Sequence, residues 1–164
     1  MIGYRYWDIG YRSGLIPRPG PLWSPISRHQ NLGPLHPENA DRIALPDDGV
    51  LTAGCDQHPN IPADGCWCGV YYYDNLEVLE PVKAMQTVAV TVGEVLGGVL
   101  PDPYPPLVPT AETAHMAPMA SAPSWRCQSY RVLAIHTRLP GLIQSYPGIP
   151  VTSSLSRLGD FARA

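Results

Sequence analysis

The chain has 164 residues, of which 45% are hydrophobic and 15% are charged, and its formal net charge is −3. An average globular protein has roughly 25% charged residues, and here 20 prolines and 15 glycines occupy much of the difference. The 11 basic residues are scattered along the chain, which disfavours a surface that follows nucleic-acid phosphates. This composition predicts one loop-rich globular domain, residues 1–164, with little long helix.

Two stretches were candidates for a membrane-directed segment, and neither has the required pattern. The first eight residues include Arg5 and Asp8 and contain no apolar run like that of a secretory signal. The longest apolar stretch, residues 88–100, is interrupted by Glu94 and three glycines, so we do not expect it to span a membrane. We therefore expect a cytoplasmic protein, in which clustered cysteines bind metals or take part in catalysis more often than they form disulfides.

The first half of the chain is predicted to contain short strands separated by proline-rich loop. Residues 4–9 are rich in aromatic side chains and alternate in polarity, which is typical of a short strand. Residues 17–49 contain seven prolines and are expected to be mostly loop. A short apolar run at residues 50–53 then leads into residues 55–68, called the Cys/His segment below.

The middle of the chain contains the strongest strand predictions. Residues 69–73 are strand-prone, and Asp74 is a candidate cap for a short helix that Pro81 interrupts or ends. Residues 86–96 alternate, with three valines at 88, 90 and 92 on one face. The pair Gly97-Gly98 predicts either a turn or a β-bulge.

The last third begins with a second proline-rich stretch, residues 101–124, which is interpreted as a loop or insertion. Residues 130–137 predict a strand with Tyr130 and Val132 on one face and Ile135 on the other. Ser153 or Ser154 is expected to cap a short carboxy-terminal helix. Together the elements predict an α+β, mostly β domain: a single sheet or partly closed barrel of four to six strands, with one or two short helices.

The Cys/His segment has the spacing Cys55-x2-His58-x7-Cys66-x-Cys68. Zinc in structural sites takes four tetrahedral nitrogen and sulfur ligands. Residues two apart on an extended chain project to the same side, so Cys66 and Cys68 can both point at one ion. The sequence therefore predicts a structural zinc site with these four ligands.

Three alternatives to zinc remain open at this stage. The cysteines could be buried and reduced beside an unrelated histidine. A Cys66–Cys68 disulfide is possible but would be strained. A Cys–His nucleophile needs one activated thiolate, a base and a third orienting group, and three clustered thiols favour shared metal coordination instead.

Other candidate residues give no catalytic pattern, and we expect the protein not to be an enzyme. The Glu77/Glu80 pair resembles many solvated carboxylate pairs, and Cys127 is interpreted as a small buried apolar residue. Tyr71–Tyr73 could stack on bases but are favoured as part of a sheet. Four histidines stand apart from the cluster and are not expected to be catalytic: His29, His36, His115 and His136.

The segment Cys66-x-Cys68-Gly69-Val70-Tyr71 resembles the C-x-C-G-[IV]-Y-A segment of uncharacterised proteins from actinobacterial phages, especially mycobacteriophages, and related prophages. Shorter similarities extend over nearly the whole chain, in the same order: Tyr4–Trp7, Leu22–Pro25, Val92–Val99, Tyr130–Arg131 and Ser145–Val151. Tyr72 departs from the family alanine and Gly97 from its tryptophan, and residues 101–124 replace a short turn. The resemblance implies a phage accessory protein that acts inside the bacterial host, with no assigned reaction.

The leading functional hypothesis is thus a non-catalytic phage accessory or regulatory protein, located in the host cytoplasm, that binds a host or phage protein. The alternative is a nucleic-acid-binding zinc module. Its patch would contain four arginines: Arg126, Arg131, Arg138 and Arg157. A small-ligand-binding domain and a virion component are further possibilities.

Overall fold

The structure is a computed structural model that describes residues 1–10, 19–24, 43–55, 57–66, 68–83, 85–102 and 122–163. Within these ranges the chain forms seven strands: β1 (Ile2–Ile9), β2 (Leu22–Trp23), β3 (Val50–Thr52), β4 (Val70–Tyr72), β5 (Val88–Pro101), β6 (Trp125–Thr137) and β7 (Val151–Thr152). Two 3₁₀ helices lie at Leu76–Val82 and Pro140–Leu142, and one α-helix, α1, lies at Leu158–Phe161. The mostly β prediction is confirmed.

All seven strands belong to one open sheet with the order β2-β1-β5-β6-β3, and β4 and β7 also pair with β6. Every pairing is antiparallel except β6 with β7. Two backbone hydrogen bonds of 2.7 and 2.8 Å between Tyr4 and Tyr73 join the chain just after β4 to β1. The sheet therefore curls until the end of β4 meets the outer edge of β1.

The two long strands, β5 and β6, pair along nearly their full length and are interrupted by two register shifts. The second shift, between Leu96 and Val99, contains Gly97 at φ +76°, so the predicted glycine pair is a bulge rather than a turn. At the first shift, Val92 faces Ala134 and the next residue, Gly93, faces Val132. One residue of β6 is therefore passed over.

The extra residue, Leu133, changes which side chains of β6 share a face. The prediction that Ile135 lies opposite Tyr130 and Val132 is therefore wrong. Ile135 packs in the same apolar cluster as Tyr130 and Val132, whereas strict alternation would place it on the opposite face. A β-bulge shifts the side-chain alternation by one position, which residue types alone do not reveal.

Two apolar clusters cover the sheet. Trp7, Leu51, Tyr130 and Ile135 belong to the larger cluster. Val90 and Val92 belong to the second one, together with Leu79 of the first 3₁₀ helix and Leu158 of α1. Successive residues of a strand point to opposite faces, and the neighbours Tyr6 and Trp7 pack with different clusters, so each cluster lies on its own face.

The short helices are present, but their caps differ from the predictions. Asn75 rather than Asp74 caps the first 3₁₀ helix, since its Oδ1 accepts a hydrogen bond of 2.9 Å from the Glu77 backbone N–H. α1 begins after Arg157 without a side-chain cap, so Ser153 and Ser154 do not cap it. Among the described residues, no helix is long and apolar enough to cross a membrane.

The predicted proline-rich loops lie only partly within the described ranges. β2 falls inside residues 17–49 and forms a short edge strand beside β1. Residues 25–42 and 103–121 lie outside the described residues, so the loop predictions there are not addressed.

Candidate metal centre

The Cys/His segment interrupts an edge strand. β3 pairs with residues 129–131 of β6, and Ala53 extends that pairing with a 2.9 Å hydrogen bond from its N–H to the carbonyl of Gln128. β4 then begins at Val70, which faces Cys127. The chain thus stops pairing with β6 opposite residue 128 and pairs with it again opposite residue 127. Cys55, His58, Cys66 and Cys68 all lie in the stretch between these two pairings.

A tight turn brings Cys66 and Cys68 back toward Cys55 and His58. The Cys66 N–H donates a 3.3 Å hydrogen bond to the Ala63 carbonyl, which closes a four-residue turn. Gly65, the third residue of that turn, has φ +72°, the conformation that a type II turn requires at this position. The link between His58 and Cys66 therefore folds back as the sequence predicts.

The four predicted ligands converge. The sulfur atoms of the three cysteines and one imidazole nitrogen of His58 all lie within 4.8 Å of one another, and each of the four residues is half-buried. None of the four cysteines forms a disulfide, so the disulfide alternative is not realised. The four residues, called the Cys₃His cluster below, could hold a metal ion.

Two separations in the Cys₃His cluster match those of a tetrahedral site. Ligand distances of 2.3 Å for sulfur and 2.0–2.1 Å for nitrogen place two sulfurs about 3.8 Å apart and a sulfur and a nitrogen about 3.6 Å apart. The Sγ atoms of Cys55 and Cys66 are 3.9 Å apart. Cys55 Sγ lies 3.4 Å from His58 Nδ1.

The electrostatic environments of the thiols differ. The hydrogen bond between the side chains of Cys55 and His58 lowers the pKa of Cys55, with a smaller contribution from the Gln57 backbone. Burial raises the pKa of Cys68. Cys55 therefore becomes the thiolate that a metal requires more readily than Cys68 does.

Outside the cluster, Cys127 agrees with its interpretation as an apolar core residue. It is fully buried, and burial raises its pKa to about 12. Tyr71 and Tyr72 are buried in the sheet, as the sequence favours. Three of the isolated histidines, His29, His36 and His115, lie outside the described residues.

His136 is buried at the end of β6, and its Nδ1 has no hydrogen-bond partner within the described part of the chain. Burial lowers its pKa. The nearby backbone of Thr152 and of Lys83 acts in the opposite direction.

Arg126 is the main correction to the sequence-based site. The prediction places it in an exposed basic patch, but it is 2% exposed and its guanidinium points into the Cys/His segment. Another member of that patch, Arg131, is exposed and pairs with Glu94 at 3.0 Å. Alternation within β6 could have indicated that Arg126 and Cys127 face opposite sides, but the segment that covers Arg126 is not visible in the pattern.

A small pocket also lies beside β4, lined in part by Arg5, Tyr71 and Asp102. The Arg5 guanidinium donates hydrogen bonds to the Tyr71 carbonyl and, at 2.5 Å, to Ser24 Oγ, and it lies 4.7 Å from the centre of the Trp7 ring. Arg5 therefore connects β1 to β4 and to Ser24, the residue that follows β2.

No protein-family model, curated protein or solved structure matches this chain.

Proposed function

We propose that the Cys₃His cluster holds one structural zinc ion in a non-catalytic accessory protein that acts by binding another protein. The observation that carries the zinc site is the match between the measured sulfur–sulfur and sulfur–nitrogen separations and the edges of a zinc tetrahedron.

The donor set favours zinc over magnesium and calcium. Thiolate sulfur is a soft ligand, and imidazole also suits zinc. Magnesium and calcium prefer carboxylate, carbonyl and water oxygens, and the Cys₃His cluster offers three sulfurs and one nitrogen. Cys₃His is among the established ligand sets of structural zinc.

A structural role follows from the number of ligands. Four protein ligands complete a tetrahedral shell, whereas catalytic zinc keeps a position for water or substrate. The Cys/His segment leaves and rejoins β6 at neighbouring positions, so an ion bound there holds the excursion closed. Zinc binding would then contribute directly to folding.

For the biological role, we propose a phage-encoded protein that binds a host or phage protein in the host cytoplasm. The similarity of the short motifs to phage proteins supports the origin. A saturated metal centre supports binding rather than catalysis. The nucleic-acid alternative is weakened because Arg126 is buried and Arg131 already pairs with Glu94.

Elemental metal analysis of the purified, reduced protein tests the zinc site. We expect about one equivalent of zinc in the native protein and in Cys127→Ala, because Cys127 lies outside the cluster, and a large loss in Cys66→Ser. Less than about a tenth of an equivalent in native protein with reduced thiols would refute the proposed site.

Affinity capture from a bacterial host lysate tests the partner. The zinc-loaded protein is used as bait, with and without nuclease treatment, and Cys66→Ser serves as the control. The proposal expects a discrete protein partner that survives nuclease treatment. Capture that nuclease abolishes would support the nucleic-acid alternative instead.

A further inference from the structure

Arg126 fastens the Cys/His segment to the sheet. One of its terminal nitrogens, Nη1, donates hydrogen bonds to the carbonyls of both Cys66 and Cys68, the second at 3.1 Å. Its Nε donates a 3.2 Å hydrogen bond to the carbonyl of Pro101, at the end of β5. A single side chain of β6 thus holds the backbone of two predicted ligands and the end of a neighbouring strand.

The acceptors of Arg126 are neutral, although the guanidinium carries a full charge. Among the described residues, no carboxylate forms an ion pair with Arg126. A buried charge without a counter-charge is costly, and for that reason buried cations are normally paired. The missing counter-charge is unusual for a side chain that is 2% exposed.

The proposed zinc site would supply that charge. Zinc carries two positive charges, and three thiolates with a neutral imidazole carry three negative ones, so the filled centre has a net charge of −1. Because Arg126 bonds the backbone carbonyls of Cys66 and Cys68, its guanidinium contacts the segment that would carry this anion.

We propose that Arg126 is the charge-compensating and positioning residue of the metal centre. It orients the Cys66 and Cys68 peptides and neutralises the zinc–thiolate anion. This inference rests on the proposed zinc site. It also provides a reason for the Cys₃His set, because a Cys₄ centre would leave one negative charge uncompensated and a Cys₂His₂ centre would leave Arg126 without a counter-charge.

The first test separates the charge of Arg126 from its bulk. Zinc affinity is measured by competition with a chelator for the native protein, Arg126→Gln, Arg126→Lys and Arg131→Gln. We expect Arg126→Gln to weaken zinc binding by about 10- to 100-fold, the range found when outer-shell partners of metal ligands are removed. Arg126→Lys keeps the charge and should recover most of that loss. Arg131→Gln, on the same strand but exposed, should bind zinc like the native protein.

The second test is a double-mutant cycle with Cys68→His. That substitution removes one thiolate and makes the zinc centre neutral, so Arg126→Gln should then change zinc affinity by less than about threefold. The absorption spectrum of bound cobalt(II) reports whether each variant keeps a tetrahedral thiolate site.

The outcomes distinguish the two proposals. The role of Arg126 is refuted, and the zinc site stands, if the native protein and Arg126→Gln bind zinc equally tightly. The same conclusion follows if Arg126→Gln weakens zinc binding by the same factor with Cys68 present and with Cys68→His. If native protein binds no zinc, the site itself fails and the role of Arg126 fails with it.

If Arg126→Gln does not fold, the native protein still decides the question by NMR. Zinc should slow solvent exchange of the Arg126 Nε–H by at least about tenfold while leaving Arg131 unchanged. Equal exchange rates with and without zinc would refute the proposal.

Discussion

Gly69 joins the Cys/His segment to β4 at a point where a side chain cannot be accommodated. Its φ is +137°, and a Cβ built there would lie 2.8 Å from Cβ of Arg126. Only glycine combines this backbone conformation with so close an approach. The residue after Cys68 is thus constrained by the backbone geometry that brings the Cys68 carbonyl to Arg126.

We expect Gly69→Ala to lower the free energy of unfolding of the zinc-loaded protein by about 1–3 kcal/mol, because it adds both backbone strain and a steric clash. Gly141→Ala is the matched control, since a Cβ there meets nothing within 4 Å and φ is not positive. Denaturant unfolding of the two variants measures the difference. Equal stabilities would contradict the constraint at Gly69.

At this scale the sequence predicts which four side chains converge, because the spacing of candidate ligands is visible in the residue types. The nucleic-acid alternative assigns Arg126 to a surface patch, but the side chain is buried. Its burial depends on the Cys/His segment folding over β6, a long-range contact that leaves no periodic signal.

At the end of β4, two successive tyrosines have raised pKa values. Tyr72 is almost completely buried, and Tyr73 follows it at the bridge to β1. Burial raises the pKa of each to about 12, against an ordinary value of about 10 for tyrosine. Between about pH 10 and about pH 12, the native state therefore keeps phenol protons that the unfolded state loses.

Stability should consequently fall as the pH rises from about 10 to about 12, because the unfolded state binds fewer protons there than the native state does. Denaturant unfolding at a series of alkaline pH values measures this loss. Tyrosinate absorbance, followed with circular dichroism, should show that the buried tyrosines ionise as the sheet unfolds. Tyr72→Phe should make the loss of stability less steep. Ionisation of every tyrosine near pH 10 with the sheet intact would contradict the account.

The strands themselves were predictable to different degrees. The alternating valines of β5 identify that strand, and its central face is as predicted because Val90 and Val92 pack together. The bulge at Leu133 was not predictable, since it depends on pairing between two distant strands. β2 and β7 are two residues each, too short to produce a pattern.

For the whole molecule, composition and alternation predict a mostly β domain with one sheet or a partly closed barrel of four to six strands. The described residues form one sheet, but it has seven strands. The curl that brings Tyr73 to Tyr4 is set by long-range pairing, as is the placement of β3 and β4 along one edge of β6. The sequence therefore identifies the Cys/His segment but not its place in the sheet. That segment links β3 to β4, the two strands that pair with one edge of β6.

The most direct test of the zinc site is X-ray absorption at the zinc edge of the metal-loaded protein. The account predicts three sulfur neighbours at about 2.3 Å and one nitrogen at about 2.0–2.1 Å. His58→Ala should lose the imidazole signal and keep the sulfurs. A shell dominated by oxygen, or fewer than about two sulfurs per zinc, would contradict the proposal that Cys55, His58, Cys66 and Cys68 hold the ion.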